Sequence, residues 1–182
     1  MTSIVLVGGG GHCKSCIEVI NSDGRYRIEG VVDNQYTTDD KCLGIPYIGG
    51  DEDLKAILTK FKMALVTVGQ IKNYEVRKNL FEMIKALGAQ MPIIQASSSI
   101  ISSNSEIGEG TIVMHGAIIN AYAQIGKNVI INTGAVIEHD VKIGDNCHIS
   151  TSVTINGECS VGNNTFIGSN SIVVNNIKIK NE

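Results

Sequence analysis

The chain has 182 residues, of which 43% are hydrophobic and 18% are charged, so it is neither disordered nor longer than one or two domains. The net charge of −3 and the lack of a basic run argue against nucleic acid or a membrane surface as partner. No early apolar run is long enough for a signal peptide or a membrane span. Five cysteines, an odd number, favour reduced thiols and a cytoplasmic location.

The first half of the chain predicts strands that alternate with helices. Strands are expected at residues 3–7, 28–32 and 65–68. Helices are expected at residues 12–21, 51–61 and 73–87, the last of them ended by Gly88. This alternation is typical of a small parallel sheet, so residues 1–97 are expected to form a Rossmann-like α/β domain. The connector at residues 95–99 marks the boundary with a second domain at residues 98–182.

The second half of the chain is a repeat. From Ile101 to Ile179, every sixth residue is Ile or Val, at fourteen positions of fourteen. A helix needs apolar residues near every 3.6 positions and a strand at every second, so a period of six indicates a hexapeptide β-helix. Glycine follows the repeated residue every eighteen residues, at Gly108, Gly126, Gly144 and Gly162. Three hexads therefore make one coil, and side chains at i and i+18 stack in a solenoid.

His139 is the candidate catalytic base on this repeat. Its ring is expected to point outward, and its stacking neighbours Ala121 and Gly157 are small, which leaves a groove beside it. An imidazole suits the removal of a proton from an ammonium group near neutral pH. Asp140 can orient the ring if the chain turns at that corner, and Glu138 is its rival for this role.

Four glycines at residues 8–11 follow the first expected strand and open a helix. Bare backbone at such a place lets N–H groups approach a diphosphate, helped by the helix N-terminus. The dinucleotide fingerprint fails because its third glycine position is Cys13, so a nicotinamide cofactor is not expected. Asp33, at the end of the second strand, is placed to accept hydrogen bonds from a nucleoside.

Two motifs together carry a family resemblance. Residues 5–12 (VLVGGGGH) and 132–140 (NTGAVIEHD) resemble the sialic-acid O-acetyltransferase and nucleotide-activated amino-sugar N-acetyltransferase family, which has a left-handed parallel β-helix. The resemblance covers essentially the whole chain. It implies acetyl-CoA-dependent N-acetylation of a nucleotide-activated 4-amino-sugar for bacterial surface glycans, in a homotrimer with active sites between subunits. O-acetylation of a sialic-acid-type sugar and an inactive nucleotide-sugar-binding paralogue stay open as alternatives.

The resemblance also implies roles for individual residues. His139 is implied as the catalytic base and Asp140 as its partner, while Asn132 is implied to order the site. Contacts with the nucleotide sugar are implied for Gly10, Gly11, His12, Asp33, Asn34 and Gly69. Contacts with acetyl-CoA are implied for His148, Gly157 and Ser169. A uracil contact is our hypothesis for Asp33.

Two other chemistries are less well supported by the sequence. Cys13 and Cys16 have a C-x-x-C spacing at a helix start, but the sequence context of a thioredoxin is missing. His115, His139 and His148 are spaced unlike the zinc ligands of β-helical carbonic anhydrases, so no metal is expected.

The sequence stops at Glu182, inside a hexad. Members of the resembled family usually continue for about another coil and a closing tail. That segment is implied to contribute to the coenzyme A site, so weakened coenzyme A binding is expected for this chain.

Overall fold

The structure is a computed structural model that describes residues 1–37 and 39–181. The chain divides into two compact units. The first contains Met1–Gly69 and Glu75–Pro92, and the second contains Gln70–Tyr74 and the chain from Ile93 onward. Among the described residues, no helix is long and apolar enough to cross a membrane.

The first unit contains a five-stranded sheet, and the alternating pattern predicted three of its strands. Its strands are β1 (Thr2–Val7), β2 (Tyr26–Val32), β3 (Lys41–Cys42), β4 (Ile45–Gly49) and β5 (Ala64–Val66), in the order β3-β4-β2-β1-β5. The pairs β1–β2, β1–β5 and β2–β4 are parallel, whereas β3 runs antiparallel to β4 at the edge. The sequence analysis missed β3 and β4 because Gly44 and Pro46 interrupt the apolar pattern there.

All three predicted helices are present, with shifted ends. They are α1 (Gly11–Asp23), α2 (Leu54–Phe61) and α3 (Glu75–Ala86), and a short 3₁₀ turn at Asp51–Asp53 precedes α2. Gly24 ends α1 with a left-handed φ of 73°, and Gly88 follows α3 with a φ of 75°. Both positions need a residue that tolerates positive φ, and glycine does so at no steric cost. Apolar side chains of α2 and α3, among them Leu54, Phe81 and Ile84, pack on the sheet.

Arg77 is a fully buried arginine that the sequence analysis missed. Its Nη1 donates hydrogen bonds to the carbonyl oxygens of Val66 and Val68, at 2.8 and 2.9 Å, just where β5 ends. Burial lowers the pKa of the guanidinium to about 10, so it stays charged at neutral pH. The sequence does contain an indication of this burial, since Arg77 lies on the same face of the helix as Leu80, Phe81 and Ile84.

The second unit is a left-handed parallel β-helix with fifteen two-residue strands, numbered β6 to β20. Three sheets of five strands each make the sides of a prism. The first side contains β6 (Ile94–Gln95), β9 (Ile112–Val113), β12 (Ile130–Ile131), β15 (His148–Ile149) and β18 (Phe166–Ile167). The second contains β7 (Ile100–Ile101), β10 (Ile118–Ile119), β13 (Val136–Ile137), β16 (Thr154–Ile155) and β19 (Ile172–Val173). The third contains β8 (Glu106–Ile107), β11 (Gln124–Ile125), β14 (Lys142–Ile143), β17 (Ser160–Val161) and β20 (Lys178–Ile179).

The predicted periods of six and eighteen residues are confirmed. Each strand pairs in parallel with the strand eighteen residues further on, so that Ile119 lies opposite Ile137 and Ile137 opposite Ile155. From β7 onward the second residue of each strand points inward, and these side chains form the core with small residues such as Ala117, Ala135 and Cys147. Stacked, fully buried aliphatic side chains account for the stability of the solenoid.

The first residue of each strand points outward, and the three sides differ in what they present. The first, here called the covered face, carries Ile112, Ile130 and His148, which are all buried within the chain. The second, here called the apolar face, presents the column Ile100, Ile118, Val136, Thr154 and Ile172, of which Ile100 is 64% and Ile172 70% exposed. The third, here called the polar face, presents Glu106, Gln124, Lys142, Ser160 and Lys178.

The β-helix begins before the boundary that the sequence suggested. Ile94 pairs with Ile112 and Gln95 with Val113, so residues 93–97 belong to the first coil and not to the first domain. The repeat concealed this coil because Gln95 stands at the hexad position where all later hexads hold Ile or Val.

Candidate active site

His139 and Asp140 form a hydrogen-bonded pair at the corner between the apolar and polar faces, here called the catalytic corner. His139 Nδ1 lies 2.8 Å from Asp140 Oδ2, and both side chains are more than half exposed, at 55% and 52%. Neighbouring residues in an extended strand point to opposite sides, but Asp140 has a left-handed φ of 60° that turns its carboxylate back toward the ring. Glu138, the rival partner, instead accepts a hydrogen bond from Asn120 Nδ2 at 2.9 Å.

The pair leaves one ring nitrogen available for proton transfer. Because Nδ1 donates to a carboxylate, the neutral imidazole carries its proton there and leaves the lone pair on Nε2. The hydrogen bond to Asp140 raises the pKa of His139, and the charges of Asp140, Glu138 and Glu158 add to the increase. An exposed imidazole with a fixed tautomer and a raised pKa can act as a general base.

Replacement of Asp140 by Asn tests the origin of this pKa. The raised pKa keeps His139 protonated to higher pH, so a reaction that needs the free base is lost as the pH falls through that pKa. In Asp140→Asn the pKa of His139 returns toward about 6.5, and the acid limb of kcat/KM should move to lower pH. The pH profile of kcat/KM for both proteins measures this shift, and superimposable acid limbs would contradict it.

Gly157, one coil further on, lies directly against the His139 ring. A Cβ built on Gly157 would lie 2.7 Å from Cε1 and 2.8 Å from Nε2 of His139. The ring therefore fills the space that the sequence analysis took to be an open groove on this side. Gly157 makes room for the imidazole, and its predicted contact with acetyl-CoA stays a prediction.

Asn132 and His148 meet at a different corner, the one between the covered and apolar faces. Asn132 Nδ2 lies 3.0 Å from His148 Nε2, and Asn132 Oδ1 accepts the backbone N–H of Thr133 at 2.8 Å. That second bond fixes the amide orientation, so Asn132 donates to Nε2 and His148 carries its proton on Nδ1. His148 Nδ1 in turn donates to the backbone oxygen of Gln70, a residue of the same unit.

His148 lies on the outward side of its strand, but it is only 6% exposed. Both ring nitrogens are engaged within the chain, and the ring packs edge-on against Phe166 at 5.2 Å. Ser169 lies at the same corner, exposed, with its hydroxyl 2.9 Å from that of Ser150. The acetyl-CoA contacts of His148 and Ser169 stay predictions.

Gln70 is a functional candidate that the sequence analysis missed. It is 2% exposed, and its Nε2 donates to the backbone oxygen of Asn146 at 2.9 Å. Together with its bond to His148, this contact holds the Asn132–His148 pair in one arrangement. No local pattern in the sequence marks Gln70, because its partners lie more than seventy residues further on.

In the first unit, the four glycines fall into two classes. A Cβ on Gly8 would lie 2.3 Å from Val68, and one on Gly9 would lie 2.5 Å from the Tyr47 ring. These two glycines are required by packing. Around Gly10 and Gly11, at the start of α1, no atom of the described residues beyond their chain neighbours and the helix backbone lies within 4 Å of such a Cβ. The open N–H groups at a helix start, with no acidic side chain in the first turn, suit a phosphate.

The other predicted nucleotide contacts surround this loop in the first unit. Asp33 accepts the backbone N–H of Gly9 at 2.6 Å and that of Gln35 at 2.8 Å, so it also fixes the loop. The Asn34 side chain makes two hydrogen bonds with Asp51, both at 2.8 Å. Gly69 has no side chain to displace His12, whose Cβ lies 3.3 Å from the position of an added Cβ. Their roles in binding a nucleotide sugar stay predictions.

The cysteine and metal alternatives gain no support. Cys13 and Cys16 are both buried free thiols, and burial raises the pKa of Cys13 to about 12 and also raises that of Cys16. A redox C-x-x-C motif needs the opposite shift toward a thiolate. No cluster of three or more metal-ligating side chains occurs in the part of the chain that the structure describes.

Two family models match parts of the chain. Residues 3–84 match the family model of the PglD N-terminal domain, and residues 122–157 match that of the bacterial transferase hexapeptide (six repeats). The first unit thus resembles PglD N-terminal domains, and the β-helix resembles bacterial hexapeptide-repeat transferases. Both motifs that carried the resemblance, the glycine loop and the His139 hexad, lie within the matched ranges.

One curated protein is similar over part of its length. The chain is 35% identical over 124 residues to UDP-N-acetylbacillosamine N-acetyltransferase of Bacillus subtilis, and the match covers 63% of the chain. It spans about half of that relative, 52% of its length.

Two solved structures superpose on the whole chain. Perosamine N-acetyltransferase from Caulobacter crescentus, with CoA and GDP-perosamine, has a TM-score of 0.87 at 28% identity and is covered to 92%. The acetyltransferase domain of PglB from Neisseria gonorrhoeae has a TM-score of 0.91 at 27% identity and is covered to 86%. These matches confirm the predicted fold class, a Rossmann-like domain followed by a left-handed β-helix.

Proposed function

We propose that this protein is an acetyl-CoA-dependent N-acetyltransferase that acts on a nucleotide-activated 4-amino-sugar in bacterial surface-glycan biosynthesis. The observation that carries the proposal is the exposed His139–Asp140 pair, whose tautomer leaves Nε2 available. The relatives named above support it, since they are N-acetyltransferases of UDP- and GDP-linked sugars or domains of acetyltransferases. Five free, buried cysteines agree with a reducing compartment such as the cytoplasm.

The chemistry follows from the geometry of the pair. An amine attacks the thioester carbonyl only after it has lost its proton, so a base must accept that proton as the nitrogen–carbon bond forms. His139 Nε2 accepts the proton, and the Asp140 carboxylate stabilises the imidazolium that results. The acetyl group moves to the sugar nitrogen, and coenzyme A leaves as the thiol. No metal takes part in this scheme.

The nucleotide part of the acceptor is assigned to the first unit. The open N–H groups of Gly10 and Gly11 would hold the diphosphate at the start of α1, with His12 and Gly69 beside them. Asp33 and Asn34 follow β2 and would contact the nucleoside.

The working form is proposed to be a homotrimer. Asn132 with His148, and His139 with Asp140, lie at opposite edges of the apolar face, at the two ends of β13. One copy therefore cannot bring these two groups together. The exposed apolar column between them, Ile100 to Ile172, supports packing against a second copy, because a contiguous apolar surface of this kind marks an interface. A cyclic assembly would place the catalytic corner of one subunit beside Asn132 of the next.

Two calorimetric titrations on the purified protein test the proposal at the level of binding. Acetyl-CoA should bind saturably at micromolar to sub-millimolar affinity, and so should a UDP-linked 4-aminohexose. Binding of acetyl-CoA with free sialic acid, and of no nucleotide sugar, would favour O-acetylation instead. Binding of the nucleotide sugar without acetyl-CoA would identify an inactive paralogue and overturn the proposal.

A further inference from the structure

Tyr122 is an exposed aromatic residue at the catalytic corner that no role described above uses. It lies one coil before Asp140, since Gln124 pairs with Lys142 and Ile119 with Ile137. The spacing between stacked strands is about 4.8 Å, so the backbone of Tyr122 is that close to the backbone of Asp140. The residue is 64% exposed, although tyrosine has the largest apolar surface among the residues at this corner.

The backbone conformation of Tyr122 is unfavourable for a tyrosine. The turns of the β-helix need a left-handed residue at every sixth position from 110 to 176. Eight of these twelve positions hold Gly or Asn, which tolerate this conformation best. Tyr122 has a φ of 61° and is the one aromatic residue among the twelve. A bulky side chain there is strained.

The strain is not balanced by packing within the chain. A side chain that is 64% exposed gains little from burial, and Asn in the same turn would stabilise the fold better. Strained residues that bring no stability of their own occur preferentially at functional sites. This indicates that the Tyr122 ring contacts another molecule and does not serve to stabilise the fold.

The space on the two sides of the His139 ring indicates which molecule Tyr122 contacts. On the side of Gly157 the imidazole packs against the next coil, because the ring lies within 2.8 Å of the Cβ position there. The opposite side of the ring faces the coil of Ala121 and Tyr122, and Ala121 has only a methyl group. A sugar bound beside His139 therefore has more room on the side of Ala121 and Tyr122 than on the side of Gly157.

We propose that Tyr122 is a specificity-determining residue that binds the sugar ring of the acceptor, by stacking its aromatic face on the apolar C–H face of a hexose. An aromatic ring provides apolar area with few rotatable bonds, and its hydroxyl can bond a polar group at the edge of the sugar. This inference rests on the proposed function. It assigns the hexose, and not the nucleotide, to the catalytic corner.

Steady-state kinetics of Tyr122→Ala and Tyr122→Phe, with acetyl-CoA and a UDP-linked 4-aminohexose, test the inference. Tyr122→Ala should raise KM for the sugar nucleotide about tenfold, with KM for acetyl-CoA unchanged, and Tyr122→Phe should retain most of the affinity. Inhibition by UDP alone should be equal in wild type and Tyr122→Ala, since UDP lacks the sugar. Lys142→Ala, which removes an exposed side chain of the neighbouring polar face, is the control and should leave both KM values unchanged.

Thermal unfolding provides a second, independent measurement. Tyr122→Asn should raise Tm by about 3 °C, because it relieves the left-handed strain, while KM for the sugar nucleotide rises as in the alanine variant. A lower Tm with dissociation of the oligomer would mean that Tyr122 packs between subunits, and would overturn the inference. Unchanged KM values in an active protein would overturn it as well. Inactive wild-type protein would overturn the proposed function and this inference together.

Discussion

Replacement of His139 by Ala is expected to lower kcat by at least about a hundredfold, which is the low end of the contribution of a general base. The variant loses the one group at the catalytic corner whose free ring nitrogen can accept the proton of the amine. Affinity for acetyl-CoA and for the sugar nucleotide should change little, because His139 acts on the transition state. Turnover measured as release of the coenzyme A thiol checks the result.

Two controls separate this loss from unfolding. His139 is 55% exposed, so Tm of His139→Ala should equal that of wild type. Lys142→Ala removes an exposed side chain from the polar face close to the same corner and should leave turnover unchanged. If His139→Ala keeps full turnover, His139 has no part in the mechanism.

Gly157→Ala examines the position of the same ring. The new methyl group would lie 2.7 Å from Cε1 of His139, closer than atoms in contact can be, so the ring must move. We expect kcat to fall about tenfold, with KM for acetyl-CoA unchanged. A rise in KM for acetyl-CoA with unchanged kcat would instead support the donor contact that the family resemblance implies for Gly157.

Charges on the apolar face are expected to abolish both assembly and activity. Ile118 and Val136 lie outward at the centre of that face, so the double variant Ile118→Lys/Val136→Lys would bury two ammonium groups in a subunit contact. Sedimentation should give three times the 19.4 kDa of one chain for wild type and 19.4 kDa for the variant. The monomeric variant should show no detectable turnover, because its catalytic corner no longer lies beside Asn132 of a neighbouring subunit.

The polar face offers the matched control for this prediction. Gln124→Lys changes an exposed side chain of the polar face and should alter neither the mass of the oligomer nor the turnover. Wild-type protein that sediments as a monomer with full activity would contradict the trimer.

Complementation between inactive subunits tests whether the two corners act together. His139→Ala and Asn132→Ala should each be inactive alone. When they are co-expressed, some interfaces pair the intact Asn132 of one subunit with the intact His139 of the other, so activity should return in part. No recovery in a mixed oligomer would mean that both residues serve one site within a single subunit.

The sequence predicted the β-helix well because its information is local and repeated. An Ile or Val at every sixth position can be buried in only one way, so strand positions, coil length and the stacking of Ile119 on Ile137 all followed. The prediction failed at Gln95, where the first coil departs from that rule. It also failed at β3 and β4, whose pairing is decided by the sheet and not by the residues at 41–49.

The candidate site was predictable only in part. The contact of Asp140 with His139 could be expected because a corner residue with positive φ turns toward its neighbour. The covering of His148 by Gln70 and its bond to Asn132 are long-range contacts without a local pattern. That Gly157 lies against the His139 ring, and does not open a groove, depends on a side-chain rotamer that the sequence does not specify.

The most direct test of the account is the product of the reaction itself. Wild-type protein is incubated with acetyl-CoA and, separately, a UDP-linked 4-aminohexose, a GDP-linked 4-aminohexose and free sialic acid, and the products are analysed by mass spectrometry and NMR. The account predicts one acetyl group on the amino nitrogen of a nucleotide sugar and none on sialic acid. An acetyl ester on a sugar oxygen, or no product from any nucleotide sugar, would contradict it.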